Sequence, residues 1–135
     1  MNRRLVIVLL LCIPAASQVK VPPSFPPDMI AHDSPIRDVA RLDPKHVRID
    51  TENPRIRVLR ITLAAGETLP LHDSRDGLLV CLTACSLALT NPVGYVREVK
   101  LEAGQNQWIP AERHKLATTA GAVELLYIEA KRPQN

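Results

Sequence analysis

Short apolar segments that recur between turn residues constrain the fold of this chain more than any other feature. From residue 46 onward, segments rich in Val, Ile and Leu are broken by Gly, Pro or Asn at intervals of about 8–12 residues. In "RIRVLRITL", Leu59, Ile61 and Leu63 fall on one face, and Ile56 and Val58 on the other. No segment beyond the N-terminus keeps a helical period for more than two turns. The pattern predicts an all-β domain over residues 46–131, either a sandwich or a barrel.

The predicted strands follow directly from this alternation. They are "HVRID", "RIRVLRITL", "TLPLH", "GLLVCL", "CSLALT", "YVREVKL", "QNQWIP", "RHKLATT" and "AVELLYIEA". The close spacing of "GLLVCL" and "CSLALT" predicts that these two strands form a hairpin.

Residues 1–17 carry the three parts of a secretory signal peptide. "MNRR" supplies positive charge, "LVIVLLLCI" is apolar, and Ala15 and Ser17 fit the small-residue cleavage pattern. We expect cleavage before Gln18 and export to the periplasm or the medium. The apolar run of nine residues is too short to span a bilayer, so no stable membrane anchor is expected after cleavage. An uncleaved anchor is the alternative.

Residues 18–45 form a Pro-rich N-terminal arm before the predicted barrel. "VPPSFPP" cannot donate regular backbone hydrogen bonds and is expected to be extended or polyproline-like. "SPIRDVARL" predicts a short helical turn with Ser34 as its cap and Pro35 at its first position. The arm either wraps the barrel or stays loose.

Charge and aromatic content argue against a nucleic-acid partner. Removal of residues 1–17 takes away Arg3 and Arg4, so 17 basic residues become 15 against 14 acidic ones. Binding by base stacking usually needs several aromatic side chains along a basic groove. The mature chain has four aromatic residues: Phe25, Tyr95, Trp108 and Tyr127.

Two cysteines, Cys81 and Cys85, remain after export to an oxidising compartment. On one straight strand their Cα atoms would lie about 13 Å apart, whereas a disulfide needs less than about 7 Å. If the chain turns at "LTA", the two cysteines face each other and can bridge. Both outcomes stay open. A metal clip is the least favoured alternative, because no second Cys or His pair lies nearby.

Two spaced motifs point to a known family. In "GETLPLHDSRDG", Gly66 precedes His72 with five residues between them, and in "GQNQWIPAERH", Gly104 and Pro110 precede His114. Both motifs, in this order and on a strand-rich background, resemble those of cupins. The resemblance covers roughly residues 43–131 and is closest to small bacterial single-domain cupins. It implies a double-stranded β-helix, that is, a jelly-roll barrel, following the irregular Pro-rich arm.

The chain departs from the cupin pattern at several ligand positions. Metal-binding cupins hold a divalent ion with two or three histidines and one glutamate inside the barrel. Here Ser74 replaces the second histidine, and Leu78 and Leu79 lie where the glutamate would fall. In the second motif Glu112 replaces a glycine and Thr118 an asparagine. The resemblance therefore implies a degraded metal site.

His72 and His114 remain as candidate metal ligands, although His114 lies one residue closer to Pro110 than the histidine of the second cupin motif does. Two imidazoles without a third strong donor should hold zinc or iron only weakly. A third ligand could come from Glu112, which shares a face with His114 if "AERH" is extended, or from the loop residue Asp76. Asp73 should point away from the barrel when His72 points inward. We expect no cofactor, with weak binding of Zn, Mn, Fe or Ni as the alternative.

The same residues can also be read without a metal. His72, Ser74, Trp108 and His114 are candidate ligand-binding residues of a pocket for a small polar molecule. The two histidines could equally be remnants of the family pattern, hydrogen-bonded to water or to each other. Trp108, on a predicted inward-facing strand, would form a stacking wall or a packed rim. Arg60, if it points inward, would favour an anionic ligand.

Other histidines and other chemistries carry less weight. His32 and His46 are expected at the surface. Ser74 lies two residues from His72, but no G-x-S-x-G nucleophile elbow surrounds it. A serine hydrolase is therefore disfavoured.

Three functions remain as hypotheses. The first is a secreted cupin-domain protein with a degraded metal site, acting as a non-catalytic or small-ligand-binding module and able to form a homodimer through its barrel edges. The second is a metal-dependent enzyme of dioxygenase or isomerase type that uses His72, His114 and a replacement carboxylate. The third is an envelope protein whose barrel presents the Pro-rich arm.

Overall fold

The structure is a computed structural model that describes residues 37–132. Within these residues the fold prediction is confirmed, because every segment predicted to be a strand is one. The predicted signal peptide and residues 18–36 of the predicted arm lie outside the described residues, and with them His32, Ser34 and Pro35. Among the described residues, no helix is long and apolar enough to cross a membrane.

The described residues form one short helix and nine strands. The bounds are α1 Val39–Leu42, β1 Val47–Glu52, β2 Ile56–Leu63, β3 Thr68–Ser74, β4 Gly77–Cys81, β5 Cys85–Thr90, β6 Val96–Leu101, β7 Asn106–Ile109, β8 Glu112–Thr118 and β9 Val123–Ala130.

The strands make two antiparallel sheets that enclose the core. The five-stranded sheet has the order β1-β2-β9-β4-β7, and the four-stranded sheet has the order β3-β8-β5-β6. Side chains alternate between the interior and solvent along the central strands, as period-two patterning requires. In β5, for example, Cys85, Leu87 and Leu89 are buried. The interior is therefore lined by every second residue of both sheets.

The predicted hairpin of "GLLVCL" and "CSLALT" is wrong. β4 pairs with β7 and β9 in one sheet, whereas β5 pairs with β6 and β8 in the other. Residues 82–84 carry the chain from the first sheet to the second, so the two strands turn a corner of the barrel without forming a ladder. The turn at "LTA" nevertheless brings the cysteines together, and a Cys81–Cys85 disulfide with a Cα–Cα distance of 5.9 Å ties the two sheets.

A segment at residues 37–45, here called the strap, lies against the barrel. Its helix α1 begins at Val39 with Asp38 as the N-cap, whose side chain accepts a hydrogen bond from the Ala40 N–H at 3.2 Å. Val39 is buried in the core. The carbonyl of Arg37 accepts a hydrogen bond from the Asp73 N–H at 3.1 Å, which fixes the start of the strap on β3.

Candidate functional site

A bulge in β3 decides which side chains of the first motif face the interior. Leu69 is buried, Pro70 and Leu71 are both exposed, and His72 and Ser74 are buried. The pairing of β3 with β8 shifts register between Leu69 and His72, as a β-bulge does. Strict alternation along these residues from Leu69, without the bulge, would turn His72 toward solvent. The bulge therefore creates the polar interior of the barrel.

His72 and His114 lie side by side in the interior, one from each strand of the β3–β8 pair. They are directly opposite each other in the ladder, and their rings meet edge to face with centroids 4.8 Å apart and an interplanar angle of 88°. Each is 3% exposed. The structure thus brings together the two histidines that the sequence singled out.

Each imidazole has a partner on its Nδ1 atom. The Nδ1 of His72 lies 2.8 Å from the Pro70 carbonyl, and the Nδ1 of His114 lies 2.9 Å from the Glu112 carboxylate. Burial, followed by the proximity of His114, lowers the pKa of His72 to about 4. His72 is therefore neutral near pH 7. Because its Nδ1–H donates to a carbonyl, its Nε2 is a hydrogen-bond acceptor.

A small cavity adjoins the two histidines. Its polar lining consists of His72, Ser74, His114, Tyr127 and Glu129, and the rest is apolar side chains together with Val39 of the strap. The cavity has a volume of about 10 Å³, which is room for roughly one water molecule.

Glu129 is a buried carboxylate that the motif analysis missed. It is 1% exposed and lines the cavity, and it accepts a hydrogen bond from Nε of Arg57 at 2.7 Å. The signal was present in "AVELLYIEA", since alternation along β9 places Glu129 on the same inward face as Val123, Leu125 and Tyr127. Glu129 belongs to neither of the two sequence motifs, so the motifs alone did not identify it.

Tyr127 closes one side of the cavity. Its hydroxyl donates to the Arg75 carbonyl at 2.6 Å. Burial raises the pKa of this phenol, and a hydrogen bond with Ser74 partly offsets the effect. The hydroxyl is therefore protonated across the ordinary pH range. Tyr127 and Ser74 both belong to the polar lining of the cavity.

Trp108 does not line the cavity, and its predicted inward orientation is wrong. Its side chain is 56% exposed, while the next residue, Ile109, is fully buried. β7 is an edge strand of only four residues, and its alternation gives the inward position to Ile109. Trp108 therefore does not form a stacking surface for a ligand inside the barrel.

Arg60 points outward, which settles the alternative left open for it. Its guanidinium pairs with Asp50 at 2.7 Å and with Glu124 at 2.8 Å on the outer face of the five-stranded sheet. The arginine that reaches the interior is Arg57, three residues earlier on β2.

His46 lies away from the cavity and is half-buried, which corrects its expected surface position. Its Nδ1 lies 2.8 Å from the Asp43 carboxylate, and its Nε2 forms an ion pair with Glu67. It joins the turn after α1 to the loop before β3.

Similarity to solved structures identifies the fold. A cupin domain from Bordetella pertussis matches with a TM-score of 0.58 at 21% identity, over 64% of this chain and 92% of that one. A cupin superfamily protein from Desulfitobacterium hafniense matches with a TM-score of 0.50 at 16% identity, over 64% and 76% of the two chains. The chain has the cupin fold. An RmlC-like cupin family protein from Methanocaldococcus jannaschii, described as a double-stranded β-helix, matches with a TM-score of 0.50 at 20% identity, over 62% and 77%.

Comparisons by sequence found no match to this chain. No protein-family model matches the chain, and no curated protein matches it. At identities of 16–21% the structural likeness concerns the fold alone. The chemistry of this cupin-fold chain must therefore be argued from its own side chains.

The donor set of this cupin barrel does not fit a tightly held metal ion. Ser74 and Leu79 line the cavity where metal-binding cupins carry ligands; the serine hydroxyl is a poor ligand and leucine is none. Glu129, the carboxylate at the cavity, is already paired with Arg57. Within residues 37–132, no group of three or more His, Cys, Asp or Glu side chains is placed to hold a metal.

Neither proposed replacement carboxylate reaches the cavity. Glu112 shares a face with His114, as predicted for an extended strand, but it contacts Nδ1 of that ring and also pairs with Arg97 at 3.3 Å. Asp76 accepts a hydrogen bond from the Ala111 N–H at 2.6 Å and so braces the start of β8. Asp73 points away from His72, as predicted, and pairs with Arg113 at 2.6 Å.

Proposed function

We propose that this chain is a secreted cupin-fold protein whose barrel has lost its metal site and binds a small polar molecule without catalysing a reaction. The observation that carries the proposal is the His72–His114 pair: two buried imidazoles in contact beside a cavity whose carboxylate, Glu129, is paired with Arg57. Burying polar groups costs free energy unless they are hydrogen-bonded. A site that keeps five polar side chains around a cavity in a small core is better suited to recognition than to packing.

The chemistry of the lining favours a ligand that donates hydrogen bonds. His72 is neutral and presents Nε2 as an acceptor, as argued above. The hydroxyl of Tyr127 is engaged with the Arg75 carbonyl. A ligand hydroxyl or amine could therefore donate to His72, while apolar groups would contact leucine side chains such as Leu79 and Leu89.

Ligand entry requires the strap to move. A cavity of about 10 Å³ holds roughly one water, whereas ligand pockets typically enclose about 300–1,000 Å³. Val39 of the strap is part of the lining, and α1 is a single turn of four residues. Short helices of this kind depend on tertiary contacts for their stability. Displacing α1 is therefore the least costly way to enlarge the cavity.

One observation favours the metal-dependent enzyme as a second candidate. The Glu112 carboxylate on Nδ1 of His114 is the arrangement often found behind metal-binding histidines, where it fixes the ring and raises its basicity. The serine and leucine at the other ligand positions weigh against this candidate.

Ligand-observed NMR on the predicted mature chain, residues 18–135, tests the binding function. The probes are glycerol, acetamide, acetate, glycine and succinate, each at millimolar concentration. We expect at least one to give saturation transfer from the protein that is lost in His114→Ala. The matched control is His46→Ala, which removes a histidine outside the cavity and should leave binding unchanged. Failure of all five probes, or binding of glycerol or acetamide that survives in His114→Ala, would contradict the proposal.

A further inference from the structure

Arg57 holds two carboxylates beside the cavity: Glu129, which lines it, and Asp38, the chain neighbour of the lining residue Val39. Its Nε donates to Glu129 at 2.7 Å, while its two terminal nitrogens donate to the two oxygens of Asp38 at 2.8 and 3.0 Å. The second contact is the paired, parallel geometry in which a guanidinium recognises a carboxylate most strongly. The Arg57 side chain is 11% exposed, so both contacts are largely shielded from water.

The two carboxylates belong to different parts of the molecule. Glu129 lies on β9, lines the cavity and is fully buried, so it is a fixed part of the barrel wall. Asp38 lies on the strap, outside the two sheets, and its side chain remains 19% exposed. It is the residue next to Val39, which occupies part of the cavity lining. One guanidinium thus joins Glu129, a carboxylate of the barrel wall, to Asp38, a carboxylate of the strap.

Arg57 holds a second anion, Asp38, although Glu129 is already paired with it. One guanidinium faces two carboxylates, and yet Asp38 stays ionised: burial alone would raise the pKa of Asp38, but the hydrogen bonds and charge of Arg57 hold it below its usual value. Two opposing carboxylates also keep Arg57 protonated, since they raise its pKa against the effect of burial. The terminal nitrogens of Arg57 therefore form a built anion site.

We propose that Asp38 occupies the place of a ligand carboxylate, and that the barrel binds a small carboxylate anion which displaces the strap and takes over the fork of Arg57. This inference rests on the proposed ligand-binding function and names its ligand class. Departure of Asp38 removes the neighbouring Val39 from the cavity, so the anion site and the apolar space open together. The ligand then places its carboxylate on Arg57 and its hydroxyl or amine group toward His72.

Chemical rescue tests the assignment directly. In the predicted mature chain, Asp38→Ala vacates the Arg57 fork and removes the cap of α1. Sodium acetate is the probe, with sodium chloride at equal ionic strength and acetamide as controls for salt and shape. We expect acetate to raise the melting temperature of Asp38→Ala saturably by several degrees, at least twice the shift of the wild type, and to move the Arg57 Nε–H resonance. Acetamide should do neither.

Two further variants separate this site from arginine binding in general. Asp73→Ala vacates Arg113, which pairs with Asp73 at 2.6 Å, whereas Arg57 also pairs with the cavity-lining Glu129; acetate should not rescue Asp73→Ala. In the Asp38→Ala background, Arg57→Gln combined with Glu129→Gln removes the fork without leaving a carboxylate unpaired, and the acetate response should vanish. The double substitution keeps the test valid if Arg57→Gln alone fails to fold.

The outcomes distinguish this inference from the function on which it rests. Equal stabilisation of Asp38→Ala and Asp73→Ala by acetate, or no response of Asp38→Ala to acetate, would overturn the carboxylate assignment. If glycerol or acetamide still binds through His114, the binding function stands and only the ligand class is wrong. If no probe binds either the wild type or Asp38→Ala, both proposals are contradicted.

Discussion

The imidazole rings of His72 and His114 meet edge to face, with centroids 4.8 Å apart, in the interior of the barrel. They come from facing positions of β3 and β8, and both are buried. Protonation of His72 places a charge beside His114 in a poorly solvated space. The pair therefore couples the acid stability of the fold to the polar lining of the cavity.

Acid should destabilise the protein through His72. Its pKa is about 4 in the folded chain against 6.5 for the unfolded one, so the unfolded state binds more protons between these values. The free energy of unfolding should then fall as the pH drops through this window, by roughly 3 kcal/mol in total. Urea unfolding of the wild type and of His72→Gln at several pH values checks this. A difference between them that does not change with pH would contradict it.

His46 should act in the opposite direction. A hydrogen bond to Asp43 raises its pKa against the effect of burial, and Glu67 adds to the increase. Its contribution to stability is present below pH 6.5 and is lost as the pH rises through the folded-state pKa. We expect His46→Gln to lower the melting temperature below pH 6.5 and to have little effect well above the folded-state pKa. A loss that is equal on both sides would rule out the ion-pair account.

Gly77 should not tolerate a side chain. A Cβ at this position would lie 2.6 Å from the Ile128 carbonyl oxygen and 2.9 Å from Cζ of Tyr127. Gly77→Ala should destabilise the fold by about 1–3 kcal/mol, because backbone and a packed ring cannot both yield. Gly94→Ala is the control: its position is open but has φ +87°, so it tests backbone strain of about 1 kcal/mol without a clash. A Gly77→Ala melting temperature no lower than that of the wild type would be inconsistent with the packing described.

The Cys81–Cys85 disulfide should stabilise the corner between the sheets modestly. Its sequence separation is four residues, and loop closure over so short a span is worth only about 2 kcal/mol. We expect Cys81→Ala/Cys85→Ala to lose about that much in urea unfolding. A reductant should lower the stability of the wild type to a similar extent and leave the double variant unchanged. A reductant effect on the variant would point to another cause.

Strand existence and strand faces could be read from the sequence because the period-two pattern is local. The alternation of "RIRVLRITL" predicted that Leu59, Ile61 and Leu63 share one face, and all three are buried. The same rule placed Glu112 against His114. These features depend only on the alternation of inward and outward positions along one strand, which is visible in the sequence.

Features that depend on tertiary context were missed or misassigned. The corner at residues 82–84 resembles a hairpin turn locally, and only the pairing of β4 with β9 and of β5 with β8 shows that the chain changes sheets. The bulge at Pro70–Leu71 inverts the alternation of β3. Arg57 and Glu129 carry no motif, and their importance arises because Arg57 joins Glu129 to the strap residue Asp38.

Metal binding by the predicted mature chain, residues 18–135, tests the central claim most directly. Zn²⁺, Mn²⁺, Fe²⁺ (under anaerobic conditions) and Ni²⁺ are titrated separately in a calorimeter against the wild type and His114→Ala. We expect no binding of micromolar or tighter affinity that depends on His114, because the cavity carboxylate Glu129 is paired with Arg57 and no group of three ligating side chains lies within residues 37–132. Micromolar or tighter binding that is lost in His114→Ala would contradict it and favour the metal-dependent enzyme.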